Sequence, residues 1–509
     1  MRTVPEPASN RIERAEPFGY PPRAVFTQQA TDMPSANFFA ALRAITGTER
    51  CITDPGLLLA YECDAITHLR TTPVAAVLPE TRDEVVRIVQ LCAQHGVPLT
   101  GRGAGTCLSG GAIASPGGIL VAFPRMNRIL QVDAANRIAV VQPGVINARL
   151  SQVLRPLGLA YMPDPSSQTA CTLGGNVGEN SGGPHCIKHG STAASVLALE
   201  MVLADGSVAH IGHARGRTGG PDLRGLVVGS EGTLGLVTAI TLRLERIPST
   251  ELTLLASYRD MRAACAAVSS IIAAGILPSA LEALDDRTIA ALEASGRESG
   301  YPRDAAAVLL IEFDGEAAAV RAEADATIAL LHKADAIAVD EATDPAQRAR
   351  LWRGRKGAFG AMGRLAPDLY VMDTVVPRSK LPEVLPRIGQ ICDELHLRLA
   401  NVFHAGEGNL HPNISYDGRN PEEVQRVILA GKRIVELCLA AGGALSGEHG
   451  IGTEKLDYMP LMFDEASMAA MHTVREVFDA QKLFNPGKVL PTPRICAESA
   501  PPRHRGPHA

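Results

Sequence analysis

Two glycine-flanked clusters hold the side chains best placed by type and spacing to do chemistry. His404-Ala405-Gly406-Glu407-Gly408-Asn409-Leu410-His411 sets two imidazoles seven positions apart across a glycine turn, and Gly447-Glu448-His449-Gly450 adds a carboxylate and another imidazole. Two histidines and a glutamate can ligate a divalent ion and leave positions open for a substrate. A lone histidine in such a turn reads first as a structural polar residue; four such groups in two loops favour a site. The basic stretch Trp352-Arg353-Gly354-Arg355-Lys356 could bind a carboxylate through a two-pronged guanidinium or could be a solvated helix face.

Three glycine-dense segments precede these clusters. Gly101-Arg102-Gly103-Ala104-Gly105-Thr106-Cys107-Leu108-Ser109-Gly110-Gly111 follows a helix and the short strand 97–100. Its alternating glycines let successive backbone N–H groups turn inward as an anion nest sized for a pyrophosphate, with Arg102, Thr106 and Ser109 as further donors. It is not a Rossmann turn, because Leu108 stands where the third glycine belongs and Ser115-Pro116-Gly117-Gly118 cannot continue a helix. Taken alone, it could be a tight turn. The second segment runs as a loop from Pro163-Asp164-Pro165-Ser166-Ser167 through Gly174-Gly175-Asn176-Val177-Gly178-Glu179-Asn180-Ser181-Gly182-Gly183. Its small residues admit a flat ring system, and Asn176 and Asn180 can donate and accept along a heterocycle edge. The third is Gly229-Ser230-Glu231-Gly232-Thr233-Leu234-Gly235. Each glycine costs about 0.5–1 kcal/mol of backbone entropy relative to alanine, so three such segments point to a large cofactor.

These segments resemble the FAD-binding domain of vanillyl-alcohol oxidase type flavoproteins. Tyr61-Glu62-Cys63-Asp64, Pro163-Asp164-Pro165-Ser166-Ser167-Gln168 and Gly447-Glu448-His449-Gly450-Ile451-Gly452 narrow the likeness to the family of the FAD-linked glycolate oxidase subunit and the FAD-dependent D-lactate dehydrogenases, over about residues 38–490. The chain departs from that pattern at Cys107, Thr374 and Glu407. The resemblance implies that Arg102, Gly103, Ala104, Gly105, Thr106, Ser109 and Gly110 hold the pyrophosphate of FAD. Pro163, Asp164, Gly174, Gly175, Asn176, Asn180 and Ser181 would line the flavin, with Glu231, Gly232 and Val237 beside the adenosine half. Asn485 joins this set. No histidine in the first loop matches those used for covalent attachment in relatives, so noncovalent FAD is expected. The resemblance further implies that His404, His411 and Glu448 bind a divalent metal, zinc being a candidate, that His449 is the base, and that Arg355 clamps the substrate carboxylate.

The reaction so implied is oxidation of glycolate or D-lactate to the 2-oxo acid. An alcohol of pKa about 16 does not lose its proton to a neutral imidazole unaided, so the metal belongs to the chemistry. Val371 and Met372 stand where D-2-hydroxyglutarate relatives carry a lysine, which favours a small monocarboxylate. Alternatives are a D-2-hydroxyglutarate-type dehydrogenase or a metal-dependent hydrolase. Implied partners are a second flavin-domain subunit and an iron–sulphur subunit passing electrons to quinone.

The elements that must position these groups follow from periodicity. Thr81-x-x-Glu84 is a capping box, followed by Val85, Ile88, Val89 and Cys92 at helical spacing. β-Branched runs at 74–78, 119–123 and 138–142 read as strands, Ala-rich segments at 262–274 and 316–333 as helices, and 308–313 as a strand between them. The fold class is α+β: a disordered leader 1–36, an FAD-binding domain 38–248, a substrate or cap domain 249–425, a helical segment 426–490 completing the active site, and a flexible tail 491–509. At 509 residues, 46% hydrophobic and net charge −5, the chain is globular and not built for nucleic acid. Its ten cysteines form no C-x-x-C pair and no stretch reaches the ~20 apolar residues of a membrane span, so a cytoplasmic protein is expected, peripheral to the inner membrane through its partners.

Overall fold

The computed structural model describes residues 33–215, 219–296 and 298–491. The leader up to residue 32 and the tail from residue 492 lie outside these residues. At the leader's end, Ser35 caps the helix Ala36–Thr46, which buries Phe38 and Leu42.

The capping box closes as expected. Thr81 accepts from the Glu84 amide, the helix Arg82–His95 buries Val85, Ile88, Val89 and Cys92, and Gly96 ends it at φ 62°. This stripe packs on a four-stranded sheet ordered Cys51–Ile52, Ala75–Val77, Ile119–Ala122, Leu99–Arg102, with the last three strands parallel. The strand expected at 97–100 starts later because Val97 N donates to Cys92 O and is part of the helix stop. The first glycine segment therefore leaves directly from a strand end. A five-stranded antiparallel sheet follows, ordered Ile129–Asp133, Ile138–Val141, Leu236–Arg243, Val196–Val202, Val208–Gly212.

The second glycine segment is not all loop. Thr172 accepts from the Gly175 amide and starts the helix Leu173–Glu179, which ends on Asn180 in the left-handed region at φ 53°. The N-cap and the burial of Leu173 and Val177 together offset the three helical glycines.

The substrate half is a seven-stranded antiparallel sheet ordered Ala338–Glu341, Thr250–Tyr258, Ala307–Gly315, Ala280–Asp285, Arg398–Phe403, Pro412–Tyr416, Asp368–Val371. Helices cover both faces, so its central strands read as continuous apolar runs rather than alternations. The helix Pro421–Ala440 crosses the boundary drawn at 425, and its Val427, Ala430, Ile434 and Val435 belong to the same core as the sheet. That boundary is corrected accordingly, since the helix is part of the sheet's cover. Beyond it the chain returns to the first sheet, where Leu483 and Phe484 are buried and Leu99 N donates to Leu483 O. Among the described residues no helix is long and apolar enough to cross a membrane.

Candidate active site

The strand Leu99–Arg102 delivers the first glycine segment to the mouth of a cavity of about 570 Å³. Among the described residues the amides of Gly103, Ala104, Gly105, Thr106, Cys107 and Leu108 donate to no protein acceptor. That is the donor set an anion nest needs. A Cβ at Gly103 would collide with Thr172 Oγ1, so the loop can lie this close to the Leu173–Glu179 helix only as glycine. Arg102 turns inward instead of toward an anion: its Nη1 and Nη2 donate to Ala112 O at 3.1 Å and Cys63 O at 2.8 Å.

Gly174, Gly175, Asn176, Ser181, Glu231, Gly232 and Val237 line the same cavity. Six residues expected there do not. Ser109 and Gly110 lie behind the loop, the Ser109 carbonyl accepting from the Thr453 and Glu454 amides. The Pro163 carbonyl accepts from Asn147, and Asp164 pairs with His185 at 2.9 Å and Lys356 at 3.0 Å. Asn180 Oδ1 caps Ser191 and Ala193, as suits a helix-ending residue. Asn485 bonds Thr100, Gly111 and Glu231, a tie of the returning chain to the first sheet. Glu231, though at the cavity wall, aims Oε1 at the Ile451 and Gly452 amides, 2.7 and 3.1 Å away, and so holds the second catalytic cluster.

At the other end of the cavity the two histidine clusters meet. His404 follows the strand Arg398–Phe403, His411 precedes the strand Pro412–Tyr416, and a turn at Gly408, φ 75°, joins them. His404 Nε2 and His411 Nε2 lie 3.0 and 3.1 Å from Glu448 Oε1, with the rings near perpendicular at 86°. The ligating atoms of these three residues fall within 4.8 Å of one another. His411 Nδ1 sits 3.2 Å from Met372 O, and His404 Nδ1 2.7 Å from Glu282 Oε1. Such partners fix ring orientation in metal sites. Burial alone would lower the His404 pKa, but Glu282 and Glu448 outweigh it and raise it to about 10. Against burial, His404 in turn holds the Glu448 carboxyl well below its usual range. His449 stacks on His411 at 4.9 Å and 9°, and burial pushes its pKa down to about 4, so its imidazole is uncharged.

Arg355 reaches this end from the helix Pro345–Met362, but not with an open fork. Its Nε and Nη2 bond Glu282 at 2.6 and 2.5 Å, leaving Nη1 buried without a partner among the described residues. The two-pronged clamp is corrected to a single free nitrogen, because the fork is needed to neutralise a glutamate in the middle of a sheet. Glu282 was missed from sequence; its signal was an acid in the middle of the fully buried strand Ala280–Asp285. Asp373, Lys455 and Glu179 were missed as well.

Comparison with known proteins bears on what the cavity holds. A model described as FAD binding domain matches residues 73–212, and one described as FAD linked oxidases, C-terminal domain, matches residues 247–489. Glycolate oxidase subunit GlcD of Escherichia coli (strain K12) is 43% identical, covering 92% of this chain and 93% of that protein. The chain belongs to the FAD-linked oxidase family. Other relatives of this FAD-linked oxidase are glycolate oxidase subunit GlcD of Bacillus subtilis (strain 168), 39% identical over 85% of this chain and 92% of that one, and D-lactate dehydrogenase of Anaerostipes hadrus, 32% identical over 82% and 90%. In fold it is similar to p-cresol methylhydroxylase with substrate bound, at TM-score 0.76 and 16% identity over 89% of this chain and 96% of that one. The fold is of the vanillyl-alcohol oxidase type and the cofactor is FAD, so the protein is an FAD-dependent oxidoreductase.

Proposed function

We propose that this FAD-linked oxidase oxidises a small 2-hydroxy acid, glycolate or D-lactate, to the 2-oxo acid, with FAD held noncovalently and a divalent metal at His404, His411 and Glu448. The observation that carries the reading is that the glycine segments and the groups His404, His411, Glu448, His449 and Arg355 line one continuous cavity. The metal set fits by its chemistry, two imidazoles and a carboxylate converging from three backbone segments with Glu282 behind one ring. Bound FAD supplies a hydride acceptor, and a divalent ion supplies a Lewis acid that acidifies the substrate hydroxyl.

The chain's own residues do the rest. Arg355 Nη1 offers one charge-assisted donor to the substrate carboxylate. His449 Nε2, 3.9 Å from Glu448 Oε1, would accept the hydroxyl proton of the substrate. Phe359, Leu369 and Val371 give the cavity an apolar stretch beside Arg355, which supports a small monocarboxylate. The enzyme works in the cytoplasm, held at the inner membrane by a second flavin-domain subunit and an iron–sulphur subunit that carry electrons to quinone. Removal of metal from the holoenzyme with a chelator tests the core of this reading. FAD should stay bound, turnover of the 2-hydroxy acid should be lost, and added zinc or another divalent ion should restore it. Undiminished turnover in metal-free protein would overturn the metal's role.

A further inference from the structure

The catalytic cluster Ser446-Gly447-Glu448-His449 is neither helix nor strand, yet it must hold a ligand and a base in register. Glu231 holds its far end at Ile451 and Gly452, and a second carboxylate gathers residues 446–449. Asp373 is fully buried and follows the strand Asp368–Val371. Its Oδ2 accepts from Ser446 Oγ at 2.5 Å and from the amides of Gly447, Glu448 and His449 at 3.0, 3.3 and 3.0 Å. Lys455 Nζ, also buried, closes the set at 3.1 Å from Oδ2 and 2.7 Å from Asp373 O. Three successive amides on one carboxylate make a nest filled by the protein's own anion. Ser446 Oγ also accepts from Gly450 N at 2.9 Å, so the turn is fastened at both ends.

We infer that Asp373, with Lys455 as its counter-charge, is a positioning residue that sets Glu448 and His449 in register for the reaction. This rests on the proposed roles of Glu448 and His449. The physical argument is one of alternatives. Without a charged acceptor, three amides and a serine hydroxyl in a dry site have no common partner, and a glycine-flanked turn then has many conformations of similar energy. An asparagine keeps the volume and can point its oxygen at the amides, but it carries no charge and sets an NH2 against the Gly447 amide, which also meets Oδ1 at 3.1 Å. Asp373 itself need touch neither substrate nor metal.

The test uses the FAD-loaded full chain carrying Asp373→Asn, and Asp373→Asn with Lys455→Met, the latter removing the buried charge that the first leaves unpaired. Two readouts are taken: hydrogen–deuterium exchange of the 446–449 segment, and kcat per bound flavin with KM. The inference expects retained FAD in the double variant, exchange at the 447–449 amides at least ~10-fold faster, and kcat down by about 10–100-fold with KM changed by less than ~3-fold. If Asp373→Asn does not fold, Ser446→Ala removes one donor without stranding a charge and should shift both readouts in the same direction. Normal kcat per bound flavin in a merely less stable protein overturns the inference, as does unchanged exchange. Should neither glycolate nor D-lactate turn over in wild type, the substrate reading fails, while the exchange readout still decides what Asp373 holds.

Discussion

His449 lines the cavity beside the histidine–glutamate cluster, and its uncharged imidazole is the base we propose. His449→Ala should keep FAD and lose at least ~100-fold in the rate of flavin bleaching by substrate, measured in a single anaerobic turnover. Bleaching at the wild-type rate would reassign the base. Glu448→Gln, which removes the negative charge of the same turn and leaves one amide oxygen as ligand, should lower bound divalent metal per flavin by ~10-fold or more at limiting metal, read by elemental analysis. These four groups were legible in the sequence because glycines flank them and their types are uncommon together. Asp373, Glu282 and Lys455 were not, because their partners lie far along the chain, Lys455 for Asp373 and Arg355 and His404 for Glu282. Arg355 was legible as a cation, but that its fork meets Glu282 depends on how a helix and a sheet pack.

At the scale of elements, the helix Pro345–Met362 is one of the links between the two halves. Arg348, Trp352 and Lys356 stand four apart on one stripe, as helical geometry requires. Arg348 and Trp352 bond Glu312 of the central strand, Lys356 bonds Asp164, and His185 joins Glu312 to Asp164 at 3.2 and 2.9 Å. Burial would lower the His185 pKa, but Asp164 and Glu312 raise it from 6.5 to about 10. A histidine whose folded pKa stands above its unfolded value stabilises in full below pH 6.5, and that contribution is lost as pH rises through about 10. The urea midpoint of wild type should therefore fall more between pH 6.5 and 10 than that of His185→Gln. Equal slopes would show that the bridge is not charged. The capping-box helix and the apolar strands could be read from sequence, since their signals are local. The helix at 173–179 could not, because glycines argue against helix and the deciding N-cap bond is a matter of one hydroxyl.

Over the whole molecule, the chain closes on itself. It starts in the sheet that carries the flavin loop, builds the substrate sheet, and comes back so that Phe484 is fully buried beside Leu99 while Asn485 bonds Thr100, Gly111 and Glu231. Phe484→Ala should cost about 3–5 kcal/mol in denaturant unfolding and release FAD at lower urea than wild type. A smaller change confined to the substrate half would contradict this closure. Such a return was not readable from a linear pattern, since Phe484-Asn485-Pro486-Gly487-Lys488 looks like a terminal turn. The central claim is that one cavity joins a flavin to a site for 2-hydroxy acids. The most direct measurement is the visible spectrum of the FAD-loaded protein, recorded anaerobically before and after glycolate, D-lactate and, as control, L-lactate. The account predicts bleaching of the flavin band by glycolate or D-lactate and none by L-lactate; a band that stays oxidised with both in metal-replete protein would contradict it.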